Sequence, residues 1–128
     1  MINKTDLEAF GYFDMFQNSS DYDKDPINFY SKFVEEKIFT KGRDRLVENA
    51  LGLVGEAGEV SEKIKKIFRD KNKFSDEEVL KELGDVLFYT VALSNIFNGD
   101  LRRIMEMNMD KLNDRQQRGV LKGSGDNR

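Results

Sequence analysis

Between Leu46 and Ile67 the apolar residues Leu46, Ala50, Leu53, Ala57, Val60, Ile64 and Ile67 recur in alternating steps of four and three. That is the period of one helix face, and it is sustained over three heptads. A second seam follows in Val79, Leu83, Val86, Thr90, Leu93 and Phe97, thickened by Leu80, Leu87 and Val91. Its start is marked by Ser75 and Glu78, spaced as the two partners of a capping box, and its end by Asn98-Gly99. Residues 70 to 74 are too short and polar to be more than a connection, so the two helices must lie antiparallel. An all-α, antiparallel helical bundle is the predicted fold.

The rest of the chain adds shorter pieces to this hairpin. Pro26, the only proline, follows Asp25 and suits the first turn of a helix running through Phe29, Tyr30, Phe33 and Val34 to about Phe39. A last helix is expected from Asp100 through Leu101, Ile104, Met105, Met109 and Leu112 to about Gln117. At the N-terminus a short helix over about residues 5 to 17 carries Phe10, Tyr12, Phe13 and Phe16, read as a packing patch, and residues 119 to 128 have the composition of a flexible terminus. At 128 residues the chain is expected to form one domain, with residues 1–24 as an N-terminal extension and 118–128 as a tail. Leu51 and Val54 lie off the first seam, so that helix is expected to be covered on two faces, and the bundle to be completed by association of chains.

Inside the two long helices sit Glu56-Ala57-Gly58-Glu59 and Glu82-Leu83-Gly84-Asp85. Carboxylates three residues apart share a helix face, so two helices offer four of them. Two carboxylates at about 4 Å repel by about 4 kcal/mol at an effective dielectric near 20. Four converging ones would drive the helices apart unless a cation lay between them. The surrounding glycines strengthen the case: Gly52, Gly55 and Gly58 each cost about 0.5–1 kcal/mol against alanine in a helix. Such residues suggest close approach of another backbone. On the last helix Asn108, Lys111 and Arg115 fall at i, i+3 and i+7, two cations and an amide of the kind a polyphosphate needs on the side a metal leaves open.

The chain has neither cysteine nor histidine, which excludes thiolate or imidazole zinc sites, disulfides, histidine triads and the Glu-x-x-His ligands of di-iron bundles. A net charge of −3 without a dense basic run argues against a nucleic-acid partner. No apolar run approaches a membrane span and no signal-peptide core is present, so no membrane partner and a cytoplasmic location are expected.

The run Leu51-Gly52-Leu53-Val54-Gly55-Glu56-Ala57-Gly58-Glu59-Val60, then Lys63 and Lys66, then Lys81-Glu82-Leu83-Gly84-Asp85-Val86-Leu87-Phe88-Tyr89, then Asn108, Lys111, Leu112 and Arg115, resembles the MazG-like nucleoside triphosphate pyrophosphohydrolases. The ending Arg118-Gly119 and Gly123-Ser124-Gly125-Asp126-Asn127-Arg128 is similar to that of the small single-domain bacterial and phage members. The resemblance covers about residues 46 to 128, with 46–117 as the catalytic helices. It implies a homodimer or homotetramer, with Glu56, Glu59, Glu82 and Asp85 as catalytic and magnesium-holding residues and manganese as a substitute ion. Asn108, Lys111 and Arg115 would contact nucleotide or phosphates, Lys63 and Lys66 would be further phosphate contacts, and Glu62 an outer residue that orients water. The implied reaction cuts a ribo- or deoxyribonucleoside triphosphate between its α and β phosphates, giving the monophosphate and pyrophosphate. Two alternatives stand beside it: a dedicated dUTP, dCTP or phosphoribosyl-ATP pyrophosphohydrolase of the same superfamily, and a non-enzymatic helical interaction module.

Overall fold

The computed structural model describes residue 22, residues 24–71 and residues 75–125. Four helices follow one another: α1 (Pro26–Glu36), α2 (Gly42–Asp70), α3 (Asp76–Ile96) and α4 (Leu101–Gln117). Among the described residues there is no strand, so the all-α expectation holds. The helix expected over about residues 5 to 17 lies outside the described residues.

Local chemistry sets the boundaries. Pro26 opens α1 behind Asp25, whose carboxylate accepts from the Asn28 amide at 3.1 Å. The helix ends at Glu36, short of Phe39, because the Lys37 amide turns back to the Val34 carbonyl at 3.0 Å. Residues 37 to 41 become a link. The next helix starts at Gly42, ahead of Leu46: Asp44 suits the positive end of the helix, and Arg45 reaches Glu35 of α1 at 2.5 Å. The capping box forms as expected, with Glu78 N–H donating to Ser75 Oγ at 3.3 Å and Ser75 N–H donating to the Glu78 carboxylate at 2.8 Å. At the far end of α3 the left-handed residue is Asn98 (φ 56°) rather than Gly99.

Three cross-pairs fix α2 and α3 as an antiparallel hairpin. Gly52 meets Tyr89, Glu56 meets Asp85, and Lys63 meets Glu82. The fully buried residues lie elsewhere: Val34, Val91 and Ala92, ringed by Tyr30, Phe33, Ile38, Phe88 and Leu101, where α1, α3 and α4 come together. Polar links tie this corner. Asn95 donates to the Ser31 carbonyl at 3.2 Å, the Leu101 amide donates to Ser31 Oγ at 3.0 Å, and Arg102 pairs with Asp25 at 2.7 Å.

The covered side of α2 is a mixed one: Asn49 is buried and Gly52, Leu53, Glu56, Val60, Lys63 and Ile67 are half-buried, so Leu53, Val60 and Ile67 of the expected seam are partly covered while Leu46, Ala50, Ala57 and Ile64 remain exposed. The expectation that α2 is covered on two faces is not met within one chain: Leu51 is 67% and Val54 71% exposed. Among the described residues no helix is long and apolar enough to cross a membrane.

Candidate metal and nucleotide site

Glu56 on α2 and Glu82 and Asp85 on α3 each place a carboxylate oxygen within 4.8 Å of the others. The antiparallel packing is what joins them, since Glu82 and Asp85 share one face of α3 and Glu56 stands across from it. Glu59, one turn along α2, is exposed and outside this trio, although its charge is felt there. The Glu56 carboxyl is pushed above its usual range by desolvation and then by the charges of Asp85, Glu82 and Glu59. A converging set of oxygen donors under mutual repulsion suits a hard divalent cation.

The cationic residues have separate surroundings. Lys63 Nζ lies 3.2 Å from a Glu82 oxygen and both side chains are about one-fifth exposed, so this lysine crosses the hairpin to brace a carboxylate of the trio. Lys66, three residues on, instead sits near Glu62 and Asp70 and helps to hold their carboxyls low. Glu62 is paired with Lys65, whose hydrogen bond chiefly keeps it charged.

The three residues expected on one face of α4 lie on one continuous helix and differ in exposure. Asn108 and Lys111 are exposed, whereas Arg115 is 5% exposed and donates from Nη2 to the Gly125 carbonyl at 3.2 Å. The helix end explains that burial. Gly119 at φ 71° donates to Gln116, and the Val120 amide donates to the Arg115 carbonyl at 2.9 Å, the paired bonds of a Schellman turn. This turn sends residues 119–125 back across Arg115. A segment whose composition suggested flexibility is therefore in contact with a residue of the expected phosphate set.

Two tyrosines near the trio were not singled out from the sequence. Burial, and then the Asp85 charge, raise the Tyr30 phenol's pKa, which puts this α1 residue within electrostatic reach of the carboxylates. Tyr89, one turn beyond Asp85, lays its ring on Gly52: a Cβ there would stand 2.6 Å from ring Cδ1. The glycine at position 52 was the one visible sign of this contact. Gly55, Gly58 and Gly84 have open space at the same position, so close packing within the chain explains only Gly52.

The model of the MazG nucleotide pyrophosphohydrolase domain matches residues 46–120, the segment that holds the trio and all of α3 and α4. The chain is also 46% identical over 82 residues to the gene 37 protein of Mycobacterium phage L5, an overlap of 61% of this chain and 72% of the phage protein. No solved structure matches it. With more than half of its residues inside the matched domain, the chain belongs to the MazG nucleotide pyrophosphohydrolase family.

Proposed function

We propose that this protein is a magnesium-dependent nucleoside triphosphate pyrophosphohydrolase that works as a homo-oligomer. The observation that carries the reading is the convergence of Glu56, Glu82 and Asp85 within the family-matched segment. Glu56, Glu82 and Asp85 hold magnesium, or manganese in its place, and Glu59 joins them from the next turn of α2. When bound, the cation supplies charge neutralisation for the polyphosphate and makes water a stronger nucleophile.

The chain's own groups account for the remaining work. Lys63 steadies Glu82 and is placed to pass from carboxylate to phosphate when substrate adds negative charge. Asn108, Lys111 and Arg115 bind phosphate oxygens, with Arg115 exchanging its bond to Gly125 for one to substrate. Water adds to the α-phosphorus, the bond from that phosphorus to the bridging oxygen breaks, and pyrophosphate leaves with the oxygen. One of the cluster carboxylates takes the water's proton.

Association is supported by what one chain leaves uncovered. Leu51, Val54, Gly55 and Gly58 form one exposed stripe on α2, at i, i+3, i+4 and i+7, and Leu80, Leu83 and Leu87 form another on α3.

The test is incubation with ribo- and deoxyribonucleoside triphosphates, with magnesium or with a chelator, assaying both products. Equimolar monophosphate and pyrophosphate, lost on chelation, is the expected result. Orthophosphate in place of pyrophosphate would refute cleavage between α and β.

A further inference from the structure

Among the described residues Arg115 is the only buried charge, at 5% exposure. What covers it is the chain just after it. The Schellman turn at Gly119 folds residues 119–125 back, and Arg115 Nη2 donates to the Gly125 carbonyl at 3.2 Å. That distance is at the long end of a normal N–H···O bond, and the acceptor is neutral. A charged oxygen acceptor draws a guanidinium to about 2.7–2.9 Å and binds it roughly twice as strongly. A phosphate oxygen is therefore a better partner for this side chain than the carbonyl it now holds.

The cover is lightly held. Val120 is half-buried and residues 121–125 are exposed, so its closure lies at the low end of local stability. Its path depends on glycine: Gly119, Gly123 and Gly125 have φ of 71°, 135° and 85°, which residues with a side chain rarely adopt. The helix below is suited to an anion. Lys111 stands one turn before Arg115 on the same face, and Arg118 grips Asp114 through Nε at 2.9 Å and Nη2 at 2.7 Å, which offsets the carboxylate adjoining Arg115 in sequence.

We infer that residues 119–125 are an autoinhibitory strap, which keeps the Arg115 guanidinium from polyphosphate while it is closed and admits it when the strap lifts. The inference rests on the proposed phosphate role of Arg115 and adds the regulation of that contact. A hydrogen bond to a charged group shifts an equilibrium about ten- to a hundredfold, so only about 1–10% of chains have Arg115 uncovered at a given moment. Apparent affinity for the anion falls by the same fraction.

Gly125→Val should open the strap in the full chain. A β-branched residue at φ 85° disfavours the closed form about tenfold, while a Cβ there meets nothing within 4 Å. Calorimetric titration with inorganic tripolyphosphate, without metal, should show about tenfold tighter binding in Gly125→Val than in wild type. Adding Arg115→Gln to that variant should abolish the gain. Phenylglyoxal, which modifies exposed guanidinium groups, should label Arg115 about tenfold faster in Gly125→Val, read by peptide mass spectrometry. Equal or weaker tripolyphosphate binding in Gly125→Val, no measurable binding in either protein, a gain that survives Arg115→Gln, or unchanged labelling overturns the strap. Absence of pyrophosphate release in the nucleotide assay would instead overturn the hydrolysis, which these measurements do not involve, so the two failures are told apart.

Discussion

The aromatic ring of Tyr89 lies directly on the backbone of Gly52, closer than any side chain at position 52 would allow. This contact sets the approach of α2 to α3 one turn from the place where Glu56 meets Asp85. Gly52→Ala should therefore act through position as well as stability. Overpacking costs about 1–3 kcal/mol and the gain in helix propensity returns up to about 1 kcal/mol. A net loss of about 1 kcal/mol is expected in a denaturant titration, with weaker magnesium binding by calorimetry. A variant as stable as wild type with unchanged magnesium affinity would deny the contact that role.

Removing charge from the trio should separate function from stability. Asp85→Asn or Glu56→Gln leaves two carboxylates where three repelled one another. Magnesium-dependent pyrophosphate release is expected to fall at least a hundredfold. In metal-free buffer the melting temperature should hold or rise, since a like-charge contact has been relieved. Full activity in either variant would end the metal assignment.

How much of this was legible beforehand follows from the kind of interaction involved. The capping box at Ser75 and the Pro26 start are local, written within four residues, and they appeared where expected. The pairing of α2 with α3 followed from their short connection. How far α2 is rotated did not, because only Leu53, Val60 and Ile67 of the apolar seam are partly covered and Asn49, Gly52, Glu56 and Lys63 share the covered side with them. That rotation depends on Gly52 admitting a ring from Tyr89, thirty-seven residues away by number. The burial of Arg115 was not legible for a similar reason. Its spacing put it with Asn108 and Lys111, but the turn at Gly119 brings later residues back over it.

Acid should loosen the joint between α1 and α2. The hydrogen bond from Arg45 holds the Glu35 carboxyl below its usual range, outweighing partial desolvation, with the Arg45 charge and Asn95 assisting. A carboxyl with a depressed folded pKa contributes stability above its unfolded pKa and loses it as pH falls through the folded one. The Glu35 side chain is about half exposed although that of Arg45 is only 22% exposed, so solvent screening keeps the pair's share to about 1 kcal/mol. Glu35→Gln should thus melt lower than wild type at pH 7. The difference should shrink below the ordinary glutamate pKa and vanish once wild-type Glu35 is protonated. A difference that persists unchanged at pH 2 would place the effect in packing rather than charge.

The exposed stripe on α2 makes the last claim the most direct to test. Leu51 and Val54 are large apolar residues in water, and Gly55 and Gly58 beside them would admit a neighbouring helix closely, since a Cβ at either meets nothing within 4 Å. If a second copy packs there, Val54→Glu buries an unpaired charge, at a cost of about 3 kcal/mol or more. Because each 1.4 kcal/mol is a factor of ten, dissociation should strengthen about a hundredfold or more. Light scattering across a dilution series would read that as a shift from oligomer to monomer at a higher concentration than in wild type. In an isolated chain the same substitution touches an exposed position and leaves helix content unchanged. An unaltered association state in Val54→Glu would mean that the stripe faces solvent in the assembly and that the copies meet through α3 or α4 instead.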